Sequence, residues 1–112
     1  MGSDAAFVRA AVENGARGLV LEAFGRGNAT PEVTEAAIEA IGRGIPVAVT
    51  SRSPQGRVEP IYGAGGGSDL ASAGAIFCGD LSGIKARILL ALLLGSGADL
   101  STIRRRMELH GN

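Results

Sequence analysis

Residues 74–94 read GAIFCGDLSGIKARILLALLL, and this stretch decides the fold of the chain. Its first part, residues 75–78, is a short apolar run that predicts a buried strand, and a turn follows it. Ser82 then offers a hydroxyl oxygen to free backbone N–H groups, as the N-cap of a long helix does. Apolar residues recur at helical spacing beyond it, at Ile84, Ile88, Leu89, Leu92 and Leu93. The second half of this helix is apolar on most sides, so we expect other parts of the protein to cover it.

Two cations, Lys85 and Arg87, lie in the first turn of the predicted helix. The helix dipole disfavours positive charge at that end. Their placement therefore indicates an anionic partner elsewhere in the protein. The alternative is that both side chains extend over apolar surface and reach solvent.

The bulk properties describe one small domain without a preference for polyanions. At 112 residues the chain can form one core but not two domains. Its 11 basic and 11 acidic residues give a net charge of zero, so binding to nucleic acid or to a membrane surface is not expected. The apolar run 88–94 is too short to cross a membrane.

Residues 1–3 are interpreted as an expression remnant, and residues 4–112 as a single α/β domain. No signal peptide follows residue 3, and the single cysteine, Cys78, suits a reducing compartment. Both observations favour a cytoplasmic protein.

The rest of the chain alternates between helices and strands. Besides the long helix after Ser82, the sequence predicts four helices: over residues 4–14, from a Thr30 cap to about 41, over 68–74, and from Asp99 or Leu100 to 109. Buried strands are predicted over residues 18–24, 46–50 and 75–78. This order predicts an α/β fold in three layers, with a short parallel sheet of about three strands between helices. Such units normally begin with a strand, whereas this chain begins with a helix. We therefore expect the first strand of the domain to be missing upstream.

No pair of residues has the pattern of a nucleophile with its base. His110 stands near the end of the chain, and Cys78 lies in an apolar strand, where a thiol is inert. No cluster has the spacing of metal ligands. The glycine-rich runs 25–27 and 63–67 lack the Walker and dinucleotide-binding spacings, so plain turns are favoured over phosphate sites. The basic run 104–106 is interpreted as a solvated helix face.

Polar side chains follow each predicted strand at its carboxyl end. They are Glu22, Arg26 and Asn28 after the first strand, Thr50, Ser51 and Arg52 after the second, and Asp80 after the third. Ligands and partners of open parallel sheets bind at this edge. The sequence therefore places the candidate site here without indicating its ligand.

Three stretches of the chain resemble the C-terminal domain of bacterial L-asparaginases. They are GLVLEAFGRGN at residues 18–28, PVAVTSRSPQGR at 46–57 and AGAIFCGDLSGIKAR at 73–87. The three stretches occur in the order and near the spacing of the family, and the likeness extends over residues 4–109.

The resemblance implies hydrolysis of L-asparagine to L-aspartate and ammonia, with neither a metal nor an organic cofactor. In this family a threonine nucleophile, a second threonine and a Lys–Asp pair perform the reaction, and all belong to a larger N-terminal domain. No catalytic residue is therefore expected in these 112 residues, and the chain alone should be inactive.

The resemblance also implies partners. The C-terminal domain of the family packs against its own N-terminal catalytic domain and closes the active site of a neighbouring identical subunit, in dimers that usually pair into tetramers. The domain would contact L-asparagine in that neighbouring active site. Asn28 matches the asparagine of the family's Gly-x-Gly-Asn loop, so it is expected to contact substrate or the adjoining subunit. A turn-stabilising asparagine is the alternative.

The chain departs from the family at two positions. Some members contribute an acidic residue just before the short helix, where this chain has glycines around Gly67; Asp69 is not aligned with it, so that role is not transferred. Many members have proline where Gly83 stands, which weakens the helix start here. Two other interpretations stay open: an asparaginase-like subunit of a tRNA-dependent amidotransferase, and a non-catalytic α/β interaction or ligand-binding module.

Overall fold

The computed structural model describes residues 2–23, 30–51, 67–78 and 81–111, and within them the elements follow the predicted order. Their bounds are α1 Gly2–Glu13, β1 Leu19–Ala23, α2 Pro31–Gly42, β2 Val47–Ser51, α3 Gly67–Ala73, β3 Ile76–Phe77, α4 Gly83–Gly95 and α5 Leu100–Gly111. Helix α1 begins two residues earlier than predicted, and β3 keeps only 2 residues of the predicted run 75–78. The turns predicted within residues 24–29 and 52–66 lie outside the described residues.

The three strands form one parallel sheet in the order β1-β2-β3. Leu19 of β1 pairs with Val47 of β2, and Ala48 of β2 pairs with Ile76 of β3. This confirms the predicted α/β class, because strands that alternate with helices along a chain pair in parallel.

Two hydrophobic clusters cover the two faces of the sheet. The first joins β2 to α2 and α3 through Val47, Val49, Ala37, Ala40 and Leu70. The second joins β2 and β3 to α4 and α5 through Ala48, Ile76, Ala86, Leu90, Ile103 and Met107. Successive residues of β2 point to opposite faces, and residues 47–50 are at most 1% exposed. The sheet is therefore the middle of three layers, as the sequence predicted.

Polar side chains cap the helices where the sequence places them. Thr30 Oγ1 accepts a hydrogen bond from the Val33 N–H at 3.3 Å, and Ser82 Oγ accepts one from the Lys85 N–H at 3.2 Å. Asp99 Oδ1 accepts from the Thr102 N–H at 2.8 Å, so Asp99 caps α5. That hydrogen bond also lowers the pKa of the Asp99 carboxyl, because it favours the ionised form.

Two arginines bind backbone carbonyls at the C-terminal ends of helices. Arg17, between α1 and β1, donates to the Leu94 carbonyl of α4 at 3.1 Å. Arg104 of α5 donates to the carbonyls of Gly74 at 2.5 Å and Ala75 at 3.4 Å, just after α3. The interpretation of residues 104–106 as a solvated face holds for the exposed Arg105 and Arg106, whereas Arg104 is half-buried and structural.

Helix α4 is covered on one side only. Its buried contacts come from Ala86 and Leu90, while Ile84, Ile88 and Leu92 are 63%, 58% and 66% exposed. A helix that is apolar all round gives no periodic signal for the buried side, and the small Ala86 allows close approach to the sheet. None of the described helices combines the length and the hydropathy needed to cross a membrane.

We expect Leu90→Ala to lower the free energy of unfolding by about 2–5 kcal/mol, because it opens a cavity between α4 and the sheet. The same substitution at the exposed Leu92 should change it by about 0.5 kcal/mol or less. Urea unfolding of both variants compares one chemical change on two sides of one helix. Equal losses would contradict the assignment of the buried side.

A polar row at the carboxyl edge of the sheet

The carboxyl ends of the three strands bring a carboxylate, a hydroxyl and a thiol into one row. Glu22 of β1 pairs in register with Thr50 of β2, and Cys78 stands next to Thr50 because Val49 pairs with Phe77. The Cys78 N–H donates to the Val49 carbonyl at 3.1 Å, which continues the parallel pairing beyond β3. Since side chains alternate along a strand, this row lies on the face that α4 and α5 cover.

The side chain of Glu22 reaches the first residue of α4. A Cβ atom built on Gly83 would overlap Glu22 Oε1 and would lie 3.1 Å from Glu22 Cδ. The first turn of α4 contains no acidic residue of its own, and a helix N-terminus favours negative charge. The carboxylate of Glu22 therefore lies near the N-terminal end of α4. Lys85 and Arg87 are exposed, and the anionic partner expected for them stays a prediction.

Thr50 occupies the centre of the row and is fully buried. Within the described residues its Oγ1 has no hydrogen-bond partner. A buried hydroxyl without a partner costs about 1–3 kcal/mol relative to a satisfied one. The sequence singled out Thr50 as a polar group at the strand end, but the structure buries it completely rather than placing it at an accessible surface.

Cys78 forms the third member of the row and is also fully buried. Burial raises the pKa of its thiol to about 11. Its Sγ lies 3.5 Å from the Ile76 carbonyl oxygen, to which it donates. The predicted core position of Cys78 is confirmed, and a neutral, enclosed thiol is expected to be a poor nucleophile.

Several predicted site residues lie outside the described residues: Arg26, Asn28, Arg52 and Asp80. The backbone of residue 110 continues α5, which extends to Gly111. No group of three or more potential metal ligands occurs within the described ranges.

The contact of Glu22 with Gly83 was not predicted. The one sign of this contact in the sequence is that glycine follows the N-cap serine, at a helix position that most residue types can occupy.

With this geometry in place, comparison with known proteins assigns the family. Residues 1–107 match the model of the glutaminase/asparaginase C-terminal domain. The chain belongs to this family, which confirms the resemblance seen in the sequence.

The curated relatives include a probable L-asparaginase of Deinococcus radiodurans, 45% identical over 91 residues, and an L-asparaginase of Bacillus licheniformis, 39% identical over 94. These alignments cover 80% and 83% of this chain, but only 27% and 29% of the relatives. One subunit of the glutamyl-tRNA(Gln) amidotransferase of Thermococcus kodakarensis is 34% identical over 86% of this chain and 22% of its own. The chain thus spans less than a third of the relatives it matches.

A solved structure shows the same fold. The crystal structure of a probable cytoplasmic L-asparaginase from Campylobacter jejuni superposes with a TM-score of 0.78 and 29% identity, over 93% of this chain and 32% of that one. These homologues are therefore about three times as long as the stretch that they share with this chain.

Ionisation of Cys78 should make the chain less stable at alkaline pH. Burial in the folded chain raises the pKa of the thiol from its ordinary value of 9.0 to about 11, so folding favours the protonated form. The stabilisation that results from this shift is fully present below pH 9 and is lost as the pH rises through 11. The total loss in the free energy of unfolding is about 2–3 kcal/mol.

Urea unfolding of the wild type and of Cys78→Ala, each at pH 8, 9, 10 and 11, measures this loss. The alanine variant lacks the group, while every other titration is shared. The difference between the two free energies of unfolding should therefore shrink with rising pH. Parallel curves across this range would contradict a buried neutral thiol.

Proposed function

We propose that the chain is the C-terminal domain of an enzyme that hydrolyses L-asparagine to L-aspartate and ammonia. In this proposal it closes the active site of a neighbouring subunit and contributes to oligomerisation. The observation that carries the proposal is the family match over residues 1–107, with relatives and a structural neighbour named as L-asparaginases. The catalytic threonines would lie in an N-terminal domain outside this sequence.

The described part of the chain supports a non-catalytic role for this domain. Hydrolysis by a hydroxyl nucleophile requires an accessible oxygen beside a base. Thr30 Oγ1 caps α2, while Thr34 and Thr50 are buried. The Cys78 thiol is neutral at physiological pH, and burial raises its pKa further, to about 11. These groups are therefore unsuited to attack a substrate amide, and the isolated chain should release no ammonia.

Asn28 is our proposed contribution to the neighbouring active site. It belongs to segment 24–29, which joins the carboxyl end of β1 to α2. An asparagine amide offers a donor and an acceptor together, which suits the carboxylate or amine of an amino acid substrate. The segment leaves the sheet at the edge where ligands of parallel sheets bind.

The exposed side of α4 supports association with further subunits. Ile84, Ile88 and Leu92 form one row at intervals of four residues, and each is more than half exposed. Within the described residues β1 pairs with β2 alone, so one of its edges is open. Exposed apolar side chains and unpaired strand edges are commonly covered by a neighbouring subunit in oligomers.

One alternative function is the asparaginase-like subunit of a tRNA-dependent amidotransferase. The relative from Thermococcus kodakarensis supports it, although its identity of 34% is lower than that of the two asparaginases. A net charge of zero gives this domain no electrostatic attraction to tRNA. We favour the asparaginase, and we place it in the cytoplasm by analogy with the Campylobacter jejuni neighbour.

Ammonia release from L-asparagine tests the proposed reaction. The longer protein that contains this chain should be active, and the isolated chain should not exceed a buffer blank. Asn28→Ala in the longer protein should lower kcat/KM about tenfold or more, the effect of losing a hydrogen bond to a charged group. Asn14→Ala is the matched control, because Asn14 is exposed after α1 and donates to the Ala10 carbonyl.

An inactive longer protein would contradict the asparaginase and would favour the non-catalytic module. If Asn28→Ala instead leaves both the activity and the oligomeric state, measured by light scattering, unchanged, that result would support the proposed reaction but would make Asn28 a turn residue.

The isolated chain should self-associate through the exposed row of α4, and Ile88→Glu should weaken that association. Covering an isoleucine contributes about 1.5–3 kcal/mol, so the dissociation constant should rise at least about tenfold. Leu109→Glu is the matched control, since Leu109 is 62% exposed on α5. Sedimentation equilibrium measures both, and a wild-type monomer at high concentration would contradict the prediction.

A further inference from the structure

The exposed row of α4 lies between two cations. Ile84, Ile88 and Leu92 form the row, and each is more than half exposed. A helix turns by about 100° per residue, so Lys85 falls on one side of the row and Arg87 on the other, about 60° and 100° from Ile88. Both cations are exposed. The solvent side of α4 is therefore an apolar stripe with a cation on each flank.

The charge of α4 is confined to its first half. Lys85 and Arg87 are its charged residues, and residues 88–95 carry none. The helix dipole disfavours cations at the N-terminal end and favours them at the C-terminal end. The carboxylate of Glu22 approaches this end of α4 at the buried Gly83, which lies away from the exposed row. A partner that brings the C-terminal end of a helix to the exposed side would therefore suit both cations.

We propose that the partner on this face is a second copy of the chain, whose α4 runs antiparallel to the first about a two-fold axis at Ile88. The inference deepens the oligomerisation that forms part of the proposed function. In this arrangement Ile84 of each copy meets Leu92 of the other, and Ile88 meets itself. One self-complementary surface then covers the exposed row on both copies, as a two-fold interface requires.

Charge and shape both favour the antiparallel direction. Side chains of a helix lean towards its N-terminus, so Lys85 and Arg87 of one copy lean towards the C-terminal end of the partner helix. Lys85 lies opposite Ala91 of the second copy, whose short, exposed side chain leaves room for the lysine stem. A parallel pair would instead place the cations of the two copies beside each other, and like charges repel.

Cysteine cross-linking of the 112-residue chain tests the direction and the register together. All variants carry Cys78→Ala, which removes the native thiol. Ile88→Cys should give a disulfide-linked dimer on mild oxidation, because residue 88 meets itself at the axis. Ile84→Cys and Leu92→Cys should each link poorly alone, and should link to each other when mixed. A parallel pair would link all three variants to themselves, which would overturn the proposal.

Leu109→Cys is the matched control for cross-linking, because Leu109 is 62% exposed but lies on α5. It should give no more linked dimer than the Cys78→Ala background. A monomeric chain would contradict both the proposed oligomerisation and the antiparallel pair, and would leave the row to another part of the longer protein. A dimer with a different pattern of links would overturn the antiparallel pair alone.

Neutral substitutions of the two cations test the charge argument. Lys85→Gln and Arg87→Gln should each raise the dissociation constant of the dimer about two- to fivefold, because each removes a cation from two symmetric helix ends. Arg17 already donates to the Leu94 carbonyl at that end, which keeps the effect small. Arg106→Gln, on the exposed face of α5, is the control and should change nothing. Sedimentation equilibrium measures all three, and unchanged or tighter dimers in both α4 variants would overturn the proposal.

Discussion

The parallel pairing of β2 with a strand on each side is the constraint on which the rest of this structure depends. A strand in that place is buried on both faces, and residues 47–50 of β2 are at most 1% exposed. Both faces must therefore be covered by helices, which the chain supplies as α1 to α3 on one side and α4 and α5 on the other. The same constraint keeps the strands short and apolar, and it places their carboxyl ends at one edge.

Local chemistry made most of the fold predictable from the sequence. Two helix starts are marked by a hydroxyl residue: Thr30, which Pro31 follows, and Ser82, which an apolar run follows. Each hydroxyl accepts a hydrogen bond from a free backbone N–H three residues further along the chain. Gly15, with φ of 86°, ends α1 because few other residues adopt that conformation. Apolar runs bounded by glycines likewise predict buried strands. None of these signals depends on a distant part of the chain.

What the sequence could not predict depends on contacts between distant segments. The apolar pattern of α4 does not distinguish its two sides, so the burial of Leu90 and the exposure of Leu92 follow only from its packing on the sheet. Arg104 stands in a run of three arginines, yet it alone reaches the Gly74 carbonyl, 30 residues away in sequence. For the candidate site, the sequence identified the edge and the residues Glu22 and Thr50. It could not show that a glycine 61 residues later receives the Glu22 carboxylate.

The two ends of the sheet are stabilised in different ways. At the amino end, Arg17 binds the Leu94 carbonyl, and Gly18 approaches α4 so closely that a Cβ there would lie 2.9 Å from Leu90 and Leu94 side-chain atoms. Gly18 is therefore closely packed against α4 at that end. At the carboxyl end, the described residues include two polar side chains in register: the carboxylate of Glu22, which reaches α4, and the Thr50 hydroxyl, which has no partner in the described residues. The contacts of the described residues thus differ in kind at the two ends: close packing of α4 and an arginine on a helix carbonyl at the amino end, and polar side chains in register at the carboxyl end.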